Sequence, residues 1–586
     1  MNRSCQTGEP DILPLVPTPA PFPVAAPVAE RSRERPAAAP SDHEEIEWQF
    51  DAVDLRPVER WVDAQAARPS DGAGGGADPF RGEIHVVPLT TRRLADTYLD
   101  TADWRLYRAG FTLRVRRSGQ SAEATLKSMA SPSLGIRRRT ELTQGFAGRT
   151  VDALMETEGP VSGRVRLIAG KHSVGPLFEV KTLRRSFSLR SDGEAVGEIA
   201  IDRTTIPVLD GGEPVRLKRV EVEVSDPEAP SVASFVEELR HKGGLQAATV
   251  SKFEAGLIAL GGHPLPARGL EPAAIQGSLT VGELAFAVLG AQFQELLQKE
   301  GGTRLGEDPE ELHDMRVATR RLRAAMSLFA EALPVRAALL RDELNWAGQA
   351  LGAVRDLDVQ IETVHEWATE SDEPDRGSLQ DLEAVLARRR EEARAQLLEV
   401  LDSRRYERLL AAMTGMLDRG PLRRSPAGRT PVVAAAPDLI QGHYRRVRKA
   451  GNRIDKGSGP TEYHRLRIRC KRLRYALEFL SIVYGGPTER LAKRLVRLQD
   501  LLGLHQDAQV AMTRLRELAL DSSSPLSLDS VFVMGRIAER HAEQAQRARA
   551  RFPAVYSKLK GKPWREVAKA MDQRRPPTTS RAPSNR

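Results

Sequence analysis

The chain has 586 residues, 40% of them hydrophobic, a net charge of +9 and two cysteines. That length calls for two or three domains and that apolar fraction fills ordinary cores, while Cys5 and Cys470 alone exclude a disulfide framework or a Cys-rich zinc site. No apolar run approaches the ~20 residues of a membrane span and the N-terminus lacks the apolar core of a signal peptide, so a cytoplasmic, membrane-free protein is expected, its basic surplus pointing to nucleic acid, a phosphate polymer or another anion.

In chain order, residues 1–41 are a Pro/Ala-rich tail too poor in large apolar side chains to order. Residues 42–260 alternate with period two, and eight strands are expected near 45–50, 92–100, 111–118, 122–129, 135–143, 177–190, 196–206 and 215–225, with helices near 54–66 and 229–242. A Pro/Gly-rich linker fills 261–279. Residues 280–565 have helical period, in two repeats of about 280–415 and 435–565 broken by loops at 370–378 and 419–437, before a basic disordered tail at 566–586. The fold class is thus multidomain: an α+β domain, then an all-α bundle with internal duplication.

The strands share an oddity. "EEIEWQF" sets Glu45, Glu47 and Gln49 on one face, and two carboxylates that close repel unless a cation or neighbouring bases hold them. "TLRVR" aligns Thr112, Arg114 and Arg116; "ATLK" aligns Thr125 and Lys127; "IRRRTEL" aligns Arg137, Arg139 and Glu141. "FEVK" aligns Glu179 with Lys181, "EIAID" Glu198 with Asp202, and "VEVEV" Glu221 with Glu223. One such strand is a solvated edge, but six or more suit a closed barrel of about eight antiparallel strands that turns its charges inward and covers its apolar exterior with helices. Mixed charge of this kind binds a polyanion through Mg²⁺ or Mn²⁺, with Glu oxygens on the metal and Arg and Lys on the remaining phosphate oxygens.

"EIEWQF" resembles the ExExK signature of the CYTH domain, the triphosphate tunnel metalloenzyme family. "YLDTADWRLYRAGFTLRVR", "ATLK", "RTE", "VEVEV" and "SKFEAGL" are similar to its later blocks, in order. The resemblance implies an eight-stranded tunnel that binds a triphosphate end-on with Mg²⁺ or Mn²⁺, in a family whose activities include triphosphate hydrolysis and, in other branches, nucleotide cyclisation. By position it makes Glu45, Glu47, Glu221 and Glu223 the metal-side carboxylates, and Arg114, Arg116, Lys127, Arg139, Arg184 or Arg185, and Lys252 the triphosphate-binding bases. Gln49 stands where the signature has Lys, and loss of one such preorganised group commonly costs about 10²–10³ in turnover. Thr143 replaces a further carboxylate. No acid is free to be a general base, so a metal-bound water is the expected nucleophile.

In the helical part "HDMRVATRRLRAAM" (313–326) matches "HRLRIRCKRLRYAL" (464–477), and "LGAVRDLDV" (351–359) matches "LGLHQDAQV" (502–510), both 151 residues apart, which marks a duplicated unit. Helical spacing puts His313, Arg316, Arg320 and Arg323 on one stripe, opposite Met315, Ala318, Leu322, Met326 and Phe329. His464, Arg467, Lys471 and Arg474 repeat it against Leu466, Leu473 and Leu477. Neither stripe carries interleaved acids before Glu478, and a linear polyanion matches such a surface. These blocks resemble the CHAD domain, the conserved-histidine α-helical domain. That resemblance implies two four-helix-like halves and a basic channel for inorganic polyphosphate, with the eight stripe residues as its binding set. Asp356, Asp358 and Asp507 are expected to orient the arginines, because a carboxylate facing phosphate would need a cation between them.

The expected function is a metal-dependent inorganic triphosphatase that binds tripolyphosphate and longer polyphosphate, with polyphosphate granules as a place of association. The alternative is a catalytically inactive polyphosphate-binding or granule protein. Nucleic acid ranks below both, since the stripes lack interleaved aromatics for base stacking.

Overall fold

A computed structural model of the chain describes residues 41–68, 84–118, 121–129, 136–208, 212–261, 279–370, 373–455, 457–521 and 526–574. The expected N-terminal tail, most of the linker and the last twelve residues lie outside the described residues. The first domain runs β1 Ser41–Asp51, α1 Arg56–Ala66, β2 His85–Pro88, β3 Arg92–Thr101, α2 Arg105–Arg108, β4 Phe111–Ser118, β5 Ser121–Ser128 and β6 Ile136–Ala147. It continues with α3 Val151–Glu156, α4 Pro160–Ala169, β7 Val174–Ser191, β8 Glu194–Ile206, β9 Val215–Val224, α5 Pro230–Gly243, β10 Gln246–Ala247 and α6 Lys252–Ala259.

Eight of these strands close a ring in the order β1, β6, β5, β4, β3, β7, β8, β9 and back to β1, every pair antiparallel. Closure follows from alternation, because each strand has one apolar face to bury and one charged face that a curled sheet can enclose. Outside the barrel, Ile46, Phe50, Ile199, Ile201, Val220 and Val222 pack under Val58 and Val62 of α1 and Val232, Val236 and Leu239 of α5. Leu113, Val115, Leu126 and Leu142 pack under Leu154, Val161, Val165 and Ile168 of α3 and α4. The sequence reading missed the short β2, which pairs on β7, and β10, which extends β1. It also missed α3, α4 and α6; α6 packs Phe253 against Tyr98 and Phe178, with ring centroids 5.4 and 5.9 Å away.

The second domain comprises α7 Val281–Leu305, α8 Pro309–Leu328, α9 Ala337–Glu370, α10 Glu373–Leu401, α11 Arg404–Arg419, α12 Pro426–Arg429 and α13 Val432–Gly451. It ends with α14 Pro460–Phe479, α15 Ser481–Tyr484, α16 Gly486–Ala519, α17 Leu528–Ser557 and α18 Lys562–Arg574. The duplication covers four helices: α7 to α10 correspond to α13, α14, α16 and α17, and α7/α13 and α8/α14 start 151 residues apart. The apolar sides of α8 (Met315, Leu322, Met326) and α14 (Leu466, Leu473, Leu477) share one core. Three sequence boundaries move. The expected loop 370–378 is largely the start of α10, and α13 begins inside the expected loop 419–437 despite Pro437. Helix α18 runs past 565 because Trp564 stacks on Tyr444, centroids 3.6 Å apart, and Val567 and Met571 are buried.

The domains touch through buried charge. Arg304 of α7 donates to Glu300 at 2.9 Å and to Asp402 at 2.7 Å, and Arg105 of α2 lies 3.5 Å from the same Glu300 carboxylate. Gly301 packs so closely on Ala109 of the barrel that a Cβ there would stand 2.1 Å from the alanine methyl.

Candidate functional site: a charged tunnel and a basic channel

The barrel encloses a cavity of about 590 Å³, lined by eight bases (Arg92, Arg114, Arg116, Lys127, Arg137, Arg139, Arg184 and Lys252) and eight carboxylates. Those carboxylates are Glu45, Glu47, Glu123, Glu141, Glu198, Glu221, Glu223 and Glu254, so the lining is neutral as a set. Strand register places Glu47 of β1 opposite Glu223 of β9, and Glu223 opposite Glu198 of β8, a row of three acids on adjacent strands. On the far side of β1, Glu45 opposes Arg139 and Glu47 opposes Arg137.

Bases and acids are largely tied to each other. Lys127 Nζ donates to Glu45 at 2.6 Å and pairs with Glu141 at 2.6 Å, while Arg139 bonds Glu47 and lies 3.3 Å from Glu45. Arg116 holds Asp96 through two bonds of 2.7 and 2.9 Å, and Arg114 donates to Thr125 at 3.1 Å. Arg184 binds Asp202 through two bonds and also Glu221; Lys252 reaches Asp202 at 2.5 Å and Glu221 at 2.8 Å. Burial would raise Glu221, but Lys252 and Arg184 outweigh it and hold the carboxyl well below the usual range. Burial likewise opposes the charge on Lys127, yet Glu45 and Glu141 raise it above the ordinary lysine value.

Of the two arginines left open at 184 and 185, Arg184 lines the lumen. Arg185 points outward, bonded to Asp63 of α1 at 2.9 Å and stacked over Phe187 at 5.4 Å. Glu179 and Lys181, also expected inside, pair with each other at 3.6 Å on the exterior. Period two explains both corrections: with Thr182, Arg184 and Ser186 inward, odd-numbered side chains of β7 point out. Thr143 donates weakly to Glu141, 3.4 Å away. The site set drawn from sequence omitted Asp96, Asp202, Arg137, Glu141 and Glu198. All but Asp96 were visible as inward-parity residues; Asp96 shared that parity with Tyr98 in "ADTY".

Gln49 is 5% exposed; its Nε2 donates to Glu47 at 2.7 Å and its Oε1 has no hydrogen-bond partner. Glu45 Oε2 also lacks one. Among the described residues no three His, Cys, Asp or Glu side chains are grouped so as to hold a metal ion. The lumen offers hard oxygen donors suited to Mg²⁺ or Mn²⁺, at present held by bases.

In the helical domain the two stripes face one another. Arg316 and Arg320 of α8 lie within electrostatic reach of Arg467 and Lys471 of α14, and burial together with Arg467, Arg320, Arg316 and Arg474 pulls the Lys471 ammonium down to about 7. The Nε atoms of Arg320, Arg323 and Arg467 are buried without a hydrogen-bond partner. Among the described residues no carboxylate forms an ion pair with Arg320, Arg323, Arg467 or Lys471. The Arg316 and Arg467 guanidinium groups lie against Gly352 of α9 and Gly503 of α16, at equivalent places in the two repeats.

The remaining predicted residues are less uniform. Arg474 is occupied by Glu478 at 2.8 Å and Gln499 at 3.0 Å. Burial and Arg341 of α9 lower Arg323, and Asp342 of the same helix opposes them. His313 Nδ1 is buried and unpartnered, and burial and Arg355 push the ring below the ordinary histidine value; His464 is exposed and meets Gln506 at 3.0 Å. Asp356 lies 3.6 Å from Arg316 and accepts from Arg514 at 3.0 Å, and Asp358 accepts from Arg390 at 2.6 Å. Arg355 and Arg514, on the paired helices α9 and α16, were not singled out from the sequence.

The fold and site define a protein in which a closed antiparallel barrel with a charged lumen precedes a duplicated helical bundle with two neighbouring basic stripes on α8 and α14. The profile of the CYTH domain matches residues 80–257 and that of the CHAD domain residues 287–516. The chain thus carries a CYTH-domain match followed by a CHAD-domain match, in that order. A Mycobacterium tuberculosis protein described only as uncharacterized is 26% identical over 549 residues, covering 89% of this chain and 98% of its own length. Among solved structures, the CHAD domain from the plant Ricinus communis is 28% identical, with a TM-score of 0.37, covering 53% of this chain and 95% of its own. The Hippeastrum protein HpAC1, for which a dominant triphosphatase activity is described, is 18% identical with a TM-score of 0.27, covering 37% of this chain and 96% of its own. The CYTH family includes triphosphatases and cyclases and is generally metal-dependent. No helix among the described residues is long and apolar enough to cross a membrane.

Proposed function

We propose that the chain is a phosphate-polymer protein: its tunnel hydrolyses inorganic tripolyphosphate or short polyphosphate with a divalent cation, and its helical channel binds longer inorganic polyphosphate. The observation that carries this reading is the convergence of Arg114, Arg116, Lys127, Arg139, Arg184 and Lys252 on one closed lumen. A triphosphate entering it finds donors on several walls and no wall of one sign, so binding is an exchange of partners. Phosphate oxygens take the bases, and Glu45, Glu47, Glu221 and Glu223 are released to hold Mg²⁺ or Mn²⁺. When bound, that cation supplies the positive charge that the neutral lining lacks against the phosphates. Arg116 and Arg184, fixed by Asp96 and Asp202, present their guanidinium groups without rotamer freedom to lose.

The facing stripes need less exchange, because Arg320, Arg467 and Lys471 hold no carboxylate, whereas Arg316 and Arg474 must loosen Asp356 and Glu478. Holding a long chain there raises the local concentration of ends for the tunnel. On this reading the protein acts on polyphosphate granules or free polymer, not on nucleic acid. Gln49, whose amide is spent on Glu47, favours a second reading in which the tunnel binds without turnover. Phosphate release from tripolyphosphate, ATP and long-chain polyphosphate, each with and without Mg²⁺ or Mn²⁺, tests the proposal. Release from tripolyphosphate only with metal is expected, and none under any condition would leave the binding-only reading.

A further inference from the structure

Gln49 is neutral where the resembled signature has Lys, so the inward face of β1 carries acids and an amide but no base, and the neighbouring strand supplies one. Three observations locate the substitute. Arg137 of β6 opposes Glu47, shares its inward parity with Arg139 and is 5% exposed while lining the cavity. Arg219 of β9, the other neighbour of β1, opposes Asp51 and donates to it at 2.9 and 3.1 Å. Burial lowers Arg137 from the ordinary arginine value, Glu254 of α6 opposes that shift, and Arg219 adds to it, so the two guanidinium groups are within reach of each other. Position 49 is the inward position of β1 between 47 and 51. Arg137, rooted opposite 47, and Gln49, the next inward residue of β1, thus line the same stretch of the lumen wall.

Resting on the functional reading above, we infer that Arg137 is a further triphosphate-binding residue, supplying from β6 the positive charge that position 49 does not carry. The Gln49 amide then serves a different purpose. By donating to Glu47 it fixes that carboxylate beside the two arginines of β6, and its unpartnered Oε1 is a buried acceptor toward which a donor can turn. The guanidinium also suits this place better than an ammonium would, since its planar fork can give two parallel bonds to one phosphate.

The test is binding of a non-hydrolysable imido analogue of tripolyphosphate with Mg²⁺, by calorimetry. It uses the full chain carrying Arg320→Ala and Lys471→Ala, so that the helical channel contributes little. Arg137→Gln should weaken binding about ten- to a hundredfold, the usual worth of one charge-assisted bond, and Arg137→Lys should lose less. Gln49→Lys should change binding less than about threefold alone yet recover at least about tenfold in the Arg137→Gln background, because either residue can supply the charge. Arg138→Gln, on the exposed outer face of the same strand, should stay within about twofold. Binding that Arg137→Gln leaves within twofold of the parent overturns the inference alone. So does a loss that Gln49→Lys does not repair, since a packing defect at 137 is not mended by charge on β1. A parent that does not bind the analogue overturns the functional reading, and this inference with it.

Discussion

The two halves of this protein gather positive charge in opposite ways. In the tunnel, Arg116, Lys127, Arg139, Arg184 and Lys252 each hold a carboxylate, and the lining is balanced at eight against eight. In the helical channel, Arg320, Arg467 and Lys471 face one another with no carboxylate among their ion pairs, and two buried guanidinium nitrogens there await a partner. A balanced site is preorganised and selective, because an anion must displace acids that need a cation in return. An unbalanced site stores repulsion that any polyanion relieves, so it binds without metal and with a strong dependence on salt and pH.

The largest expected effect breaks the channel side. Arg316, Arg320, Arg467 and Lys471 changed together to Glu should abolish retention of the full chain on long-chain polyphosphate at moderate salt. The circular dichroism spectrum should be preserved, because Met315, Leu322, Leu466 and Leu473 on the opposite faces are untouched. Retention equal to wild type would mean the stripes are only solvated surface. On the tunnel side, Glu45→Gln with Glu47→Gln should lower metal-dependent phosphate release from tripolyphosphate by at least about a hundredfold while leaving that retention in place. Release that survives the change would remove these carboxylates from the site.

A smaller effect sharpens the contrast. Lys471 titrates at about 7, lowered by burial and by Arg467, Arg320, Arg316 and Arg474. It is a cation below that pH and neutral above it, and a bound phosphate raises its affinity for the proton. Polyphosphate affinity should therefore fall as pH rises through 7, by up to about tenfold per unit for one proton taken up on binding. Asp507, its carboxyl raised by burial, and His313, its ring lowered by burial, can each only lose a proton as pH rises, so neither reverses the sign. Lys471→Arg should flatten the profile measured between pH 6 and 8; an unchanged slope assigns it to another group. Smallest of all, Arg185→Ala should leave binding and phosphate release within about twofold, since its guanidinium lies outside the barrel on Asp63.

How much of this was legible in the sequence differs between the halves. Alternation in "EIEWQF", "TLRVR" and "VEVEV" was enough for the closed barrel and its inward charges, because period two is a local property. It failed at β7, where "FEVKTLRR" carries charges of both parities and only the partner strands decide that Thr182 and Arg184 face inward. The acids that hold the arginines, Asp96 and Asp202, sit on strands next to theirs in the chain, but their role depends on the register that sets Asp96 opposite Arg116 and Asp202 opposite Arg184, which the pattern within one strand does not state. In the helical half the repeat was plain in "HDMRVATRRLR" and "HRLRIRCKRLR", and so was the stripe. That the stripes meet face to face, bringing Arg320 against Lys471, follows from the packing of α8 on α14, which no local pattern encodes. The extension of α18 rested on a single Trp564 stacked on Tyr444, too sparse a signal within a basic C-terminal stretch.

The contrast between an exchanging tunnel and an open channel is tested most directly by removing divalent cations from the full chain. Wild-type protein treated with EDTA should still be retained on long-chain polyphosphate, while phosphate release from tripolyphosphate ceases and returns when Mg²⁺ or Mn²⁺ is restored. Loss of both properties on chelation would show that the channel too depends on metal. Continued phosphate release in EDTA would show that the tunnel does not, and either result would contradict the division of labour drawn here.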